Sequence, residues 1–203
     1  GAKHDASKPE VRLLIHDLNN LGLCFNSGAN IAKGEYYVQL DSDDQLTSDA
    51  VEKILKVYES DPKIGMVIGS YEVWEKEASG NIKRMEEIPV VTHEEWTEEN
   101  GRNNLLRING AGAPRSIPIA LIKVIGFSMN EEPYTRNYGE DYQMVMKISE
   151  RHRIGRVWDP IYKVIRHSGG TDHSIDQATI DRNDEAKDFM RKESILRRIK
   201  LNA

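Results

Sequence analysis

The chain has 203 residues, with 28 basic and 33 acidic side chains and a formal net charge of −5. That length supports one α/β domain with a proper core, and a pI near 5.7 argues against nucleic acid as a partner. A single cysteine, Cys24, excludes an internal disulfide and points to a reducing compartment; no run approaches the ~20 apolar residues of a membrane span, and the first residues carry no signal-peptide pattern.

Residues 1–10 are polar and expected to fray. Val11 to His16 reads as a strand, Asn19-Asn20-Leu21-Gly22 as a turn, and Asn26 to Ala32 as a short helix stopped at Gly34. Tyr36 to Leu40 alternates and is rich in aromatics, so it reads as a strand that ends in Asp41, Asp43 and Asp44. In open α/β sheets ligands bind at the carboxyl ends of strands. Hard oxygen donors crowded there suit Mg²⁺ or Mn²⁺ holding a phosphate. Two other readings fit the same residues. Aspartates favour solvated turns, and Asp41, Asp43, Gln45, Thr47, Asp49 and Glu52 fall on the ligand positions of a calcium loop, with Leu46 where that loop needs glycine.

Thr47 or Ser48 can cap a helix whose Val51, Ile54, Leu55 and Tyr58 share one face, ended by Asp61-Pro62. Gly65 to Trp74 reads as a buried strand, and Ala78-Ser79-Gly80-Asn81 as a turn into a partner strand. Thr92 to Glu95 forms a capping box for a short acidic helix, and Ser116, with Pro118 in the first turn, starts another that ends at Gly126. Glu140 to His152 reads as a helix with Gly155 just beyond it, Tyr162 to Ile165 as a last strand, and the final twenty residues as a charged helix. In that helix Arg191, Lys192, Arg197, Arg198 and Lys200 flank Phe189, Ile195, Leu196 and Ile199. Such a basic amphipathic surface reads first as a helix packing back on the domain or a solvated face, and second as a contact with an anionic membrane. Strands alternating with helices give an α/β class. Trp74, Trp96 and Trp158 are assigned no role beyond packing.

Tyr138-Gly139-Glu140-Asp141-Tyr142 places two carboxylates at the start of a helix. Acids there face the helix dipole favourably, and a carboxylate beside a bound hydroxyl can also act as general base. Arg166-His167-Ser168-Gly169-Gly170 follows a strand. Arginine and histidine beside small residues suit a diphosphate or a metal ligand, although His167 taken alone reads first as a satisfied structural histidine.

Taken in order, these pieces resemble glycosyltransferase family 2. The resemblance is carried by Asn20-Leu21-Gly22, Asn26-Ser27-Gly28, Ala32-Lys33-Gly34-Glu35-Tyr36, Leu40 to Asp44, Ile125-Gly126-Phe127, Gly139 to Tyr142, and Tyr162 through Arg166 and His167 to Ser174. Order and spacing make it specific where each motif alone is weak. It implies a GT-A-like, Rossmann-like mixed sheet flanked by helices over residues 1–175, with 176–203 a helical extension. It implies that Asp41 and Asp43, a DxD motif, hold Mn²⁺ or Mg²⁺ on the donor diphosphate and contact the ribose, with Asp44 sharing that work. His167, with Arg166 beside it, would lie near the metal or diphosphate. Asp141 would be the catalytic base, with Glu140 next to it, and Asn109-Gly110-Ala111-Gly112 would approach donor sugar and acceptor.

The implied reaction is inverting transfer from a nucleoside-diphosphate sugar, a UDP-sugar ahead of a GDP-sugar, to a hydroxyl of a glycan or lipid-linked acceptor. Polysaccharide or cell-envelope biosynthesis is the implied setting, in the cytoplasm or peripheral on the inner face of the membrane. The family's opening strand and base-reading acid are expected to precede residue 1, an N-terminal truncation. Asp17 does not fit that acidic motif, and Phe25 stands where the family commonly has arginine. Two other classes compete: metal-dependent nucleotidyl or phosphoryl transfer, and a calcium- or carbohydrate-binding domain without turnover.

Overall fold

The stretch Gly65 to Ser70 is buried at every residue and so forms a central strand covered on both faces. The computed structural model describes residues 9–77, 79–93, 102–108, 110, 112–131, 136–167 and 176–203. Among these, the elements are α1 (Leu21–Ile31), β1 (Tyr36–Val38), β2 (Gln45–Leu46), α2 (Ala50–Ser60), β3 (Ile64–Lys76), β4 (Ile82–Arg84), a 3₁₀ turn (Arg102–Arg107), β5 (Arg115–Pro118), α3 (Ile119–Ile125), α4 (Glu140–Ser149), β6 (Arg153–Arg166) and α5 (Gln177–Asn202). The sheet order is β1-β5-β3-β6-β2, with β4 on the far part of β3. β3 and β6 are parallel; the other pairings are antiparallel. The outcome is the mixed α/β sheet expected.

Alternation along β3 sends Met66 and Ile68 to one core and Val67 to the other. The first core holds Ile117, Ile122, Tyr142, Met144, Ile148 and Met190 from β5, α3, α4 and α5. The second packs Ala50, Ile54 and Tyr58 of α2 under Val157 and Ile161 of β6. Pairing of β3 with β6 slips between Ile68↔Arg156 and Ser70↔Pro160, because proline brings no N–H to a ladder. The Ser70 hydroxyl donates to the Val157 carbonyl at 3.0 Å in that gap.

Several local expectations change. Val11 to His16 has the alternation of a strand but no pairing with the six described strands. Val11, Leu13 and Ile15 are 91%, 83% and 81% exposed, since alternation makes a strand only where a neighbour accepts its ladder. The Asn19–Gly22 turn is instead the entry to α1: the Asn20 carboxamide accepts the Leu23 N–H at 3.0 Å, which makes Asn20 an N-cap. Ser116 does not start a helix. It is paired with Val38 on one side and Val67 on the other, and the helix waits until Ile119, after Pro118. Long-range strand pairing outweighs the local proline signal. Asp49, rather than Thr47 or Ser48, is the cap residue of α2, and that helix buries Ala50, Ile54 and Tyr58 while Val51 and Leu55 are exposed. α4 stops at Ser149 because Arg153 already pairs with Ile64, which places Gly155 inside β6. The capping box of residues 92–95 runs into residues 94–101, outside the described ones.

α5 is tied back to the domain by its arginines. Arg191 donates to the Ile108 carbonyl at 2.8 Å, Arg197 to Glu150 at 2.7 Å, and Arg198 to Ser149 at 2.8 Å. Ile195, Leu196 and Ile199 stay exposed. No helix among the described residues is long and apolar enough to cross a membrane.

Ile68, fully buried at the sheet centre, tests this core. Ile68→Ala is expected to cost about 3 kcal/mol, read as a lower urea midpoint at unchanged m-value.

Candidate active site

Two strands and one helix end at the same place. The loop after β1, residues 39–44, the close of β6 at Val164 to His167, and Glu140 at the start of α4 line a cleft of about 800 Å³, with Leu21, Phe25, Tyr71, Val73, Arg115 and Asn137 completing its walls. Asp41, Asp43, Asp44, Glu140, Arg166 and His167, distant in sequence, are thus brought together.

The acidic loop is pinned to β6. The Asp41 N–H donates to the Tyr162 hydroxyl at 3.1 Å, and the Asp44 carboxylate accepts the Ile165 N–H at 2.8 Å. Burial pushes the Asp44 carboxyl above its usual range, against the pull of the Ile165 N–H and the Tyr162 hydroxyl. Asp44 therefore spends its carboxylate on holding the loop. Tyr162, read from sequence only as a strand residue, is its clamp; burial likewise raises its phenol, and a buried tyrosine hydroxyl needs a partner.

Asp43 and His167 face the cleft together. His167 Nε2 lies 3.0 Å from Asp43 Oδ2, and both side chains are well exposed. Asp41 Oδ1 accepts the Gln39 amide at 3.2 Å. No three Asp, Glu, His or Cys side chains converge as a ready-made cation cage among the described residues. Mg²⁺, however, is typically held by one or two carboxylates plus substrate phosphates, and the donor set of Asp43, His167 and neighbouring Asp41 fits that pattern. The calcium-loop positions do not form one cage: Gln45–Leu46 is a strand, Thr47 and Lys53 take Asp49 and hold its carboxyl down at about 2, and Glu52 pairs with Lys56.

Across the cleft, Gly139 caps α4 with φ of 77°. A Cβ there would lie 2.5 Å from Met190 Cε, which the flexible methionine end can yield, so the positive φ is what favours glycine. Glu140, 8% exposed, has an Oε2 with no hydrogen-bond partner. Burial, then the charges of Asp141 and Asp41, push its carboxyl up, with Arg115 opposing. Asp141 is held differently. Its Oδ2 lies 3.0 Å from Arg115 Nη1, and its Oδ1 accepts the Tyr142 N–H at 2.7 Å. It does not line the cleft wall that Glu140 lines.

Arg115 and Gln39 went unnoticed in the sequence. Arg115 Nε donates to Gln39 Oε1 at 3.3 Å, and its Nη1 bonds the Gly112 carbonyl. The available signal was a lone glutamine inside an apolar strand run. Of the glycine-rich stretch, Asn109 and Ala111 lie outside the described residues; Gly112 takes φ of 80° against the His93 ring.

The model of "Glycosyl transferase family 2" matches residues 2–118, which includes the acidic loop and stops before Glu140. Among solved structures, the fold is similar to the crystal structure of S. aureus TarS 1-349, with a TM-score of 0.50 and 19% identity over 72% of this chain and 40% of that one. This chain thus spans less than half the length of that structure. At such identity the likeness concerns the fold alone, a GT-A fold. No curated protein matches the sequence. With more than half of its residues under the family model and the GT-A sheet beneath its acidic loop, the chain belongs to glycosyl transferase family 2.

Proposed function

We propose that this chain carries the catalytic cleft of an inverting glycosyltransferase that moves a sugar from a nucleoside diphosphate to an acceptor hydroxyl. The observation that carries the reading is the opposition, across one cleft, of the Asp41–Asp43–His167 edge to Glu140 at the start of α4, with Asp141 next to it in the chain and held by Arg115 of the same cleft. Asp43 and His167, with Asp41 beside them, would hold Mg²⁺ or Mn²⁺, which when bound supplies charge neutralisation for the departing diphosphate. Arg166, next to His167 on the cleft wall, presents a guanidinium suited to phosphate oxygens.

The acceptor hydroxyl gives its proton to the Asp141 carboxylate as its oxygen bonds to the anomeric carbon. The bond from that carbon to the diphosphate oxygen breaks, its electron pair leaves with the diphosphate, and the configuration inverts. Glu140, a residue of the cleft wall whose carboxyl keeps one buried oxygen without a partner, accepts a hydroxyl of the bound sugar or acceptor. The donor is a UDP-sugar ahead of a GDP-sugar, and the acceptor a glycan or lipid-linked hydroxyl in envelope or polysaccharide synthesis.

Asp141→Asn is expected to lower transfer about 10²–10⁴-fold while nucleotide affinity stays near that of wild type. Release of nucleoside diphosphate, rather than pyrophosphate, separates this reaction from nucleotidyl transfer, and unchanged turnover in the variant removes Asp141 from the base role. Asp43→Ala is expected to weaken Mn²⁺-dependent UDP binding about 10–100-fold in a calorimetric titration. Equal wild-type affinity with and without Mn²⁺ contradicts the metal site.

Glu140 gives a stability test. Its carboxyl lies above the usual 4.5 in the folded protein, so ionisation costs stability as pH rises through the folded value and costs nothing below the unfolded one. Glu140→Gln is therefore expected to melt above wild type at pH 7. The gap should close as pH falls below about 4.5; a lower Tm at every pH counts against this electrostatic account.

A further inference from the structure

Gln39 is a polar side chain only 9% exposed at the end of β1, where an apolar residue would satisfy the sheet. Its amide makes three side-chain hydrogen bonds, two of which join Arg115 to Asp41. Its Oε1 accepts from Arg115 Nε at 3.3 Å and from the Tyr37 hydroxyl at 3.3 Å, and its Nε2 donates to Asp41 Oδ1 at 3.2 Å. Two donors on the oxygen fix which end of the amide is which. Beyond it, Arg115, with a side chain 13% exposed, reaches Asp141 Oδ2 at 3.0 Å. An unbroken chain of polar contacts therefore runs from the donor-edge carboxylate Asp41, through Gln39 and Arg115, to the helix carboxylate Asp141.

We propose that Gln39 and Arg115 are positioning residues that form a bridge setting Asp41 and Asp141 in register across the cleft. The proposal rests on the transferase reading above and concerns how its two halves are held together. Backbone pairing reinforces the bridge, since the Gln39 N–H donates to the Arg115 carbonyl at 2.9 Å. A planar guanidinium can serve Gln39, the Gly112 carbonyl and Asp141 at once through its fixed fork, which a lysine ammonium cannot. Because Gly112 also holds Arg115, losing Gln39 frees Asp41 more than it frees Asp141.

Arg115→Lys keeps the buried charge and loses the fork. It is expected to fold with a near-wild-type Tm, with kcat down about 10–100-fold and the donor KM within about 3-fold. Gln39→Leu is expected to show the opposite split, with UDP affinity in Mg²⁺ falling about 10-fold and kcat at saturating donor largely kept. A binding readout needs no turnover: titrating Mg²⁺ and UDP into ¹⁵N-arginine-labelled protein should move the Arg115 Nε–H resonance in wild type and leave it still in Gln39→Leu. UDP binding with no movement of that resonance, or an Arg115→Lys enzyme with wild-type kcat, overturns the bridge alone. A wild type that gives no response to UDP overturns the donor-site reading, and the bridge with it.

Discussion

The parallel pairing of β3 with β6 is the constraint on which the rest depends. β3 is buried over six consecutive residues, so it needs a covered neighbour on each side, and β6 supplies one for most of its length. The same strand delivers Tyr162, Ile165, Arg166 and His167 to the cleft edge. Beyond the irregularity at Pro160 β6 does both tasks at once, since Ile161 packs in the core while Tyr162 and Ile165 anchor the acidic loop. A core interaction thereby sets the position of side chains that the core does not contain.

The cleft concentrates negative charge. Asp41, Asp43, Asp44 and Glu140 line it, and the mostly buried Arg115 on the same wall pairs with Asp141. Burying ionised carboxyls costs free energy unless they are paired or solvated. Asp141 is paired and Asp43 is solvated, whereas Glu140 keeps one oxygen unsatisfied in the wall. Such an atom is costly to bury.

α5 shows how one sequence pattern can serve two ends. Its basic residues alternate with apolar ones, as on membrane-surface helices, yet Arg191, Arg197 and Arg198 each bond to the domain. Met190 of the same helix fills the space against Gly139, at the cap of α4. The extension thus supports the position of Glu140 and Asp141 from behind.

Sequence by itself determined the class of fold and the identity of the acidic motifs, because the signals are local. Period-two alternation marked Tyr36 to Leu40, Gly65 to Trp74 read as a buried strand, helical spacing marked α2, and the carboxylates stand close together in the chain at Asp41–Asp44 and Glu140–Asp141. The tertiary structure decided everything that needs a second segment. It turned Ser116 from helix start to strand, because Val38 and Val67 claim it, and left Val11–His16 unpaired for want of a neighbour. It sorted three similar aspartates into different duties: Asp44 to Ile165, Asp43 to His167, and Asp41 to Gln39. It also joined Gln39 to Arg115, a contact across 76 positions that no local pattern encodes, since side-chain hydrogen bonds between distant strands depend on register and on where buried polar atoms find partners.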